Sequence, residues 1–229
     1  MLDLKGYGWM LWEGLLITLA VGLCAMAVAL LLGLLGAWGK LSHARAARAA
    51  AETYTTVIRG VPELLLILII YYGVPTLVQD VLAGFGNDII IDFNPFLAGV
   101  LTIGFIYGAF ASEVYRGAYL AVPKGQIEAA RAHGMGPALA FRRIVLPQMW
   151  RFALPGLGNV WMVLIKATAL ISIIQLPELM RNSFIGAGAT RLPFSFFFVA
   201  SLMYLGITIV SMAAQQRAEA WANRGVRRA

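Results

Sequence analysis

"GLLITLAVGLCAMAVALLLGLLGAWG", residues 14–39, runs for 26 residues without one charged side chain. A helix needs about 20 apolar residues to cross a hydrocarbon core of about 30 Å. Helices also satisfy their own backbone polar groups there. The apolar core of a cleaved leader is only about 7–15 residues, so this stretch reads as a permanent span. Cys24, the single cysteine, follows the bulky Leu23 and does not fit a lipoprotein cleavage site. With no partner for a disulfide, it reads as a small packed hydrophobe.

Four more stretches follow the same pattern. Residues 64–79, 93–112 and 192–216 carry no charge, and residues 152–177 carry only Lys166. The whole chain has 229 residues, is 60% hydrophobic and only 13% charged. Soluble domains carry about 25% charged residues. A single domain of this length has no core large enough to hide so much apolar surface. The reading is an all-α membrane protein, one domain over residues 1–229. Its five spans lie at about 14–39, 55–79, 94–116, 151–176 and 192–216.

The charges orient these spans. Lys40, Arg45 and Arg48 follow the first. Arg116, Lys124, Arg131, Arg142, Arg143 and Arg151 surround the connector between the third and fourth. Arg217, Arg224, Arg227 and Arg228 end the chain. Alternate connectors hold Asp3, Glu13, Asp80, Asp88, Asp92 and Glu178, with few basic residues. Positive residues stay cytoplasmic, which puts the N-terminus outside and the C-terminus inside. The net charge of +7 is thus mainly a topology signal. A nucleic-acid partner is not expected, because the basic residues are spread over three connectors without interleaved aromatics.

The sequence excludes several chemistries. It has no phosphate-binding Gly-x-x-x-x-Gly-Lys-Ser/Thr loop, and "GAWGKL" has the wrong spacing and no hydroxyl residue. Both histidines, His43 and His133, lie in cytoplasmic connectors. There is no HExxH, CxxC or Gly-x-Ser-x-Gly. The chain is therefore read as no enzyme, without a catalytic residue or a metal site. An ion-gradient transporter or channel is the alternative. Such proteins often show inverted repeats and several intramembrane charges, whereas this chain has no clear repeat and two candidate charges, Glu113 and Lys166.

The connector "KGQIEAARAHGMGPALAFRRIVLP", residues 124–147, is polar and alanine-rich. Ile127, Ala130, Gly134 and Ala138 fall near one helical face. Met135–Pro137 predicts a break, with a second short helix starting at Pro137. The pattern Glu128, Ala129, Ala130, Gly134, Ile144, Leu146, Pro147 resembles the EAA signature of ABC importer permeases of the type I fold. In that family this segment is a coupling helix that sits in a groove of a cytoplasmic ATPase. The resemblance implies coupling roles for Ile127, Glu128, Ala129, Ala130, Gly134 and Pro137.

The resemblance extends over roughly residues 13–217. "YTTVIRGVP", with Arg59, Gly60 and Pro62, "YGAFASEVYRGA" and "LPGLGNVWMVLIKATAL" are similar to the polar amino-acid permeases for histidine, for lysine, arginine and ornithine, and for opines. It implies one half of an import pathway for polar, mainly basic, amino acids or opines in the bacterial inner membrane. The implied partners are a second, similar permease in a heterodimer, two cytoplasmic ATPase subunits, an extracytoplasmic substrate-binding protein and membrane lipid. ATP and Mg would sit on the ATPase subunits, and no cofactor on this chain. Candidates for the substrate pathway are Glu113, Asn159, Lys166 and Thr168. Each also has a plainer reading: Arg116 or Lys166 as an ion-pair partner for Glu113, snorkelling for Lys166, and helix joining for Asn159 and Thr168. Several relatives with a pocket in this chain carry Asp after the fourth-span lysine, where this sequence has Ala167.

Overall fold

A computed structural model describes residues 4–85 and 94–224, and among them every regular element is a helix. Asp3, Asp88, Asp92, Arg227 and Arg228 of the charge map lie outside the described residues. Five helical runs are long and apolar enough to cross a membrane: Gly8–Leu41, Glu63–Gly84, Pro95–Leu120, Pro137–Ile174 and Pro193–Ala222.

Helix α1 is Gly8–Leu41. At about 1.5 Å per residue its 34 residues outreach the hydrocarbon core. Helix α2, Arg45–Gly60, turns back along its inner half. There Tyr54 donates to the Phe105 carbonyl at 2.6 Å, and Ala51 lies under Gly39. The expected second span, 55–79, falls across a break that the sequence reading passed over. Val61 and Pro62 are both extended, because proline forces its predecessor out of the helical region. The membrane-length run starts only at Glu63, with α3 (Glu63–Leu68), one π-helical turn at Ile69–Gly73 and α4 (Val74–Gly84).

That wide turn has a local cause. Pro75 has no N–H to give the carbonyl four residues before it. The chain shifts register ahead of it, and Val74 N–H bonds the Ile69 carbonyl, five residues back. The same device recurs before Pro147, where Leu146 N–H bonds the Phe141 carbonyl across the π turn Phe141–Val145. Prolines in spans are tolerated through such adjustments.

Helix α5, Pro95–Leu120, is capped by Asn94, whose side chain accepts from Phe96 N–H at 2.9 Å. It is the central helix: 61% of its most apolar window is buried, against 11% for Glu63–Gly84. After α6 (Lys124–Ala132), α7 (Pro137–Ala140) runs through the π turn into α8 (Leu146–Ala167) and a 3-10 stretch, Thr168–Ile174. The second helix of the connector is thus the first turn of the fourth span. Helix α9, Leu179–Thr190, precedes α10, Pro193–Ala222. The sequence reading did not anticipate α9.

Small residues bring α1 and α5 together. A Cβ at Gly104 would lie 2.6 Å from Val28 Cβ, and one at Gly33 would lie 2.6 Å from Ala111 Cβ. Close approach of this kind replaces the hydrophobic driving force that lipid cannot supply between helices. The core is layered along the membrane normal. Leu11, Leu179 and Phe196 fill the outer end, Val21, Ile103, Tyr107 and Leu164 the middle, and Ala111, Tyr115, Val145 and Met149 the inner end. Cys24 is exposed on α1 rather than packed. It lies beside, not within, the buried Gly22, Ala25 and Ala29 stripe.

Candidate functional site

The cytoplasmic connector is built from its anchors outward. Val122 and Ala130 are buried, and Ile127 packs against the inner core layer with Val145 and Ala118. This seats α6 under the ends of α5 and α8. Glu128, Ala129, Arg131, Ala132, Gly134, Gly136, Pro137 and Ala138 are exposed. The helix stops ahead of the break expected at Met135–Pro137, so Gly134 and Ala138 lie beyond α6 and are exposed, not on one helical face with Ile127 and Ala130. Met135 N–H reaches back to the Ala130 carbonyl at 3.0 Å and Gly134 N–H to Arg131 at 2.9 Å, while Gly134 takes φ +75. This is a Schellman stop. A Cβ at Gly134 would meet nothing within 4 Å, so glycine is needed there for its backbone angle. Extended Gly136 then lets Pro137 open the next helix. The exposed surface is small-residue backbone ending in Leu139 and Phe141, 40% and 43% exposed. An apolar edge on a cytoplasmic bend suits protein contact.

Above this connector sits Glu113. One oxygen accepts from Lys40 Nζ at the end of α1. The other accepts from Arg116, with Nη2 at 3.0 Å and Nε at 3.1 Å. Lys166 is not among its partners. The single carboxylate thus bridges two cations and ties α1 to α5.

The other pathway candidates separate. Thr168 is fully buried and donates to the Ile165 carbonyl at 2.7 Å, where α8 tightens into its 3-10 end. Asn159 is exposed on α8. Lys166 is exposed and lines a cavity of about 320 Å³ with Ala169, Met180, Phe197, Ser201 and Tyr204. Lys166 and Thr168 thus lie two residues apart but face different surroundings.

Two carboxylates escaped the sequence reading. Glu178 is fully buried and caps α9, accepting from Met180 N–H at 2.8 Å and Arg181 N–H at 2.7 Å. The Thr18 and Tyr204 hydroxyls approach its Oε2 at 3.4 Å each. Burial pushes its carboxyl up to about 7, against the lowering effect of these hydrogen bonds. An acidic residue just before a helix is a legible capping signal, but α9 itself had not been expected. Glu63 is the other. It accepts from the buried Tyr107 hydroxyl at 3.0 Å. A lone acid at the head of a leucine run gives no sign of its depth.

Known proteins share this architecture. The chain is 46% identical over 223 residues to the octopine transport system permease protein OccQ of Rhizobium radiobacter, covering 97% of this chain and 94% of that one. It is 44% identical to the histidine/lysine/arginine/ornithine transport system permease protein HisQ of Salmonella typhimurium, over 99% of both. A crystal structure of an amino acid ABC transporter with histidines superposes with a TM-score of 0.81 at 31% identity, over 93% of this chain and 94% of that one. An inward-facing methionine ABC transporter shares the fold at TM-score 0.67 and 18% identity, over 93% and 94%. A family model covers residues 29–224, and the chain belongs to that family, the binding-protein-dependent transport system inner membrane components.

Proposed function

We propose that this chain forms half of the translocation pathway of an ATP-driven importer for basic amino acids or opines, and docks an ATPase subunit through residues 124–140. The observation that carries the reading is the bend at Gly134. A short helix seated on the inner core layer ends in a left-handed glycine, with its outer surface free for a partner. Ile127 and Ala130 fix α6 to the bundle, so a push on Glu128, Ala129, Gly134 or Pro137 reaches α5 and α8 directly. The permeases OccQ and HisQ, named for octopine and for histidine, lysine, arginine and ornithine, supply the substrate class.

The protein does no bond chemistry in this scheme. It is a two-state element whose balance a partner's nucleotide state shifts. Its second permease is a similar, non-identical chain, and an extracytoplasmic binding protein delivers substrate. The least buried span, Glu63–Gly84, leaves room for such a second chain. Lys166, Asn159 and Glu113 stand as pathway candidates, Glu113 through its hold on α1. The test is reconstitution in proteoliposomes with the ATPase, the second permease and the binding protein. ATP-dependent uptake of a basic amino acid is expected. Uptake driven by a proton or sodium gradient without ATP would replace this reading with the secondary-transporter one.

A further inference from the structure

We infer that the groove between α1, α8 and α10 holds one phospholipid of the phosphatidylethanolamine type from the inner leaflet, with its phosphate on Arg151 and its ammonium on Glu219. The site lies in a part of the chain that the importer reading leaves unused.

The groove has a volume of about 900 Å³. Cavities of about 300–1,000 Å³ bury most of a small ligand. Helix α8 packs on both α1 and α10 and closes the groove between them. Trp12, Leu19 and Leu30 of α1 line one side, and Met203, Val210 and Ala214 of α10 the other. From Trp12 to Leu30 is about 27 Å at about 1.5 Å per residue, close to the hydrocarbon thickness of about 30 Å.

Polar atoms along the groove are satisfied within the chain. Trp161 Nε1 donates to Ser211 Oγ at 2.9 Å. Gln215 Nε2 donates to Glu219 Oε1 at 2.7 Å, and approaches the Pro155 carbonyl at 3.4 Å. A hydrogen-bonding partner would gain little from such a lining, whereas hydrocarbon asks nothing of it. No residue of Glu63–Gly84, the span left open for a second permease, lines the groove.

The inner end supplies the headgroup chemistry. Trp150 lines this groove and also a second cavity of about 560 Å³, where Pro147, Arg151 and Trp221 join it. Glu219 borders the first cavity and Arg151 the second, so both stand around Trp150. Trp150 and Trp221 are exposed near the cytoplasmic ends of α8 and α10, and tryptophan favours the level of the lipid headgroups. Arg151 and Glu219 are half-buried, and among the described residues neither is in an ion pair. A cation and an anion beside one apolar groove complement a headgroup that carries both signs. The forked guanidinium of Arg151 suits a phosphate, and the carboxylate of Glu219 an ammonium. A purely anionic headgroup would be repelled by Glu219.

The full chain is purified in mild detergent with the subunits that accompany it, stripped of lipid, and titrated with palmitoyl-oleoyl phosphatidylethanolamine or phosphatidylglycerol. Native mass spectrometry counts the lipid bound. One phosphatidylethanolamine per chain is expected, held more tightly than phosphatidylglycerol. Arg151→Gln and Glu219→Gln should each weaken it about tenfold, the loss of one charge-assisted hydrogen bond. Gly206 lines the groove, and a Cβ there meets nothing within 4 Å. Gly206→Phe should fill the space and abolish binding with the helical circular dichroism spectrum unchanged. If that variant does not fold, the two charge variants decide. Lipid retained by a folded Gly206→Phe overturns the proposal, as does unchanged affinity in both charge variants. Equal or tighter binding of phosphatidylglycerol also overturns it. Loss of another subunit from Gly206→Phe would make the groove a subunit interface and overturn it too.

Discussion

Glu113 binds Lys40 across the α1–α5 interface, and Arg116 holds its second oxygen at 3.0 Å. The Lys40 and Glu113 side chains are only 11% and 21% exposed. Removing Glu113 strands Lys40 in a poorly solvated place, and removing Lys40 leaves Glu113 with Arg116 alone. Lys40→Met and Glu113→Gln should each destabilise the folded permease by about 2 kcal/mol, below the range for fully buried pairs. The double variant should cost less than the sum. Thermal unfolding in detergent provides the cycle, and strict additivity would show that the two residues do not interact.

Gly134 separates two effects that substitution usually mixes. Its φ of +75 makes any L side chain strained, at about 1–2 kcal/mol, yet its Cβ direction is open. Gly134→Ala should therefore cost little more than the backbone strain. Gly134→Trp should leave the permease inserted but fail to retain the ATPase, because the indole occupies the docking surface. Co-purification and uptake are the readouts. Normal retention and normal transport in the Trp variant would remove the docking assignment.

The spans were legible in the sequence because hydrocarbon demands long uncharged runs, and residues 14–39 or 192–216 offer little else. The break inside the second was harder to read. "TTVIRGVP" is apolar enough to extend a span backwards, and only Pro62 signals the break. Helix α9 was missed because it has 12 residues, too few to cross, and lies among the polar residues of an outer connector. The bend was visible through Met135–Pro137, but its stop at Gly134, just ahead of them, was not. The depth of Glu63 was not, since it is set by Tyr107, 44 residues later.

The glycine contacts of α5 differ in what surrounds them. A Cβ on Gly104 meets Val28 Cβ at 2.6 Å and the Ala25 carbonyl at 3.1 Å, so α1 itself must move. Gly104→Ala should cost about 1–3 kcal/mol, as overpacking does. Gly117, on the same helix, has nothing within 4 Å. There Ala should be neutral or stabilising, by up to about 1 kcal/mol. Equal melting shifts for the two would mean that the α1–α5 approach is looser than described.

Glu178 makes stability depend on pH with an unusual sign. Its carboxyl titrates near 7 when folded, against an ordinary 4.5, because burial disfavours the charge. Between these values the folded state holds a proton that the unfolded state has lost. Its effect on stability is therefore most favourable below about pH 4.5, weakens as pH rises through the window, and levels off above about 7. The change across the window is on the order of 3 kcal/mol. Glu178→Gln cannot ionise, though its amide can still accept from the Met180 or Arg181 N–H. From pH 5 to pH 8 the wild-type melting temperature in detergent should drop by several degrees relative to the Gln variant. Parallel curves would show that Glu178 does not titrate in this range, and that its links to Thr18, Tyr204 and the start of α9 hold a permanent charge.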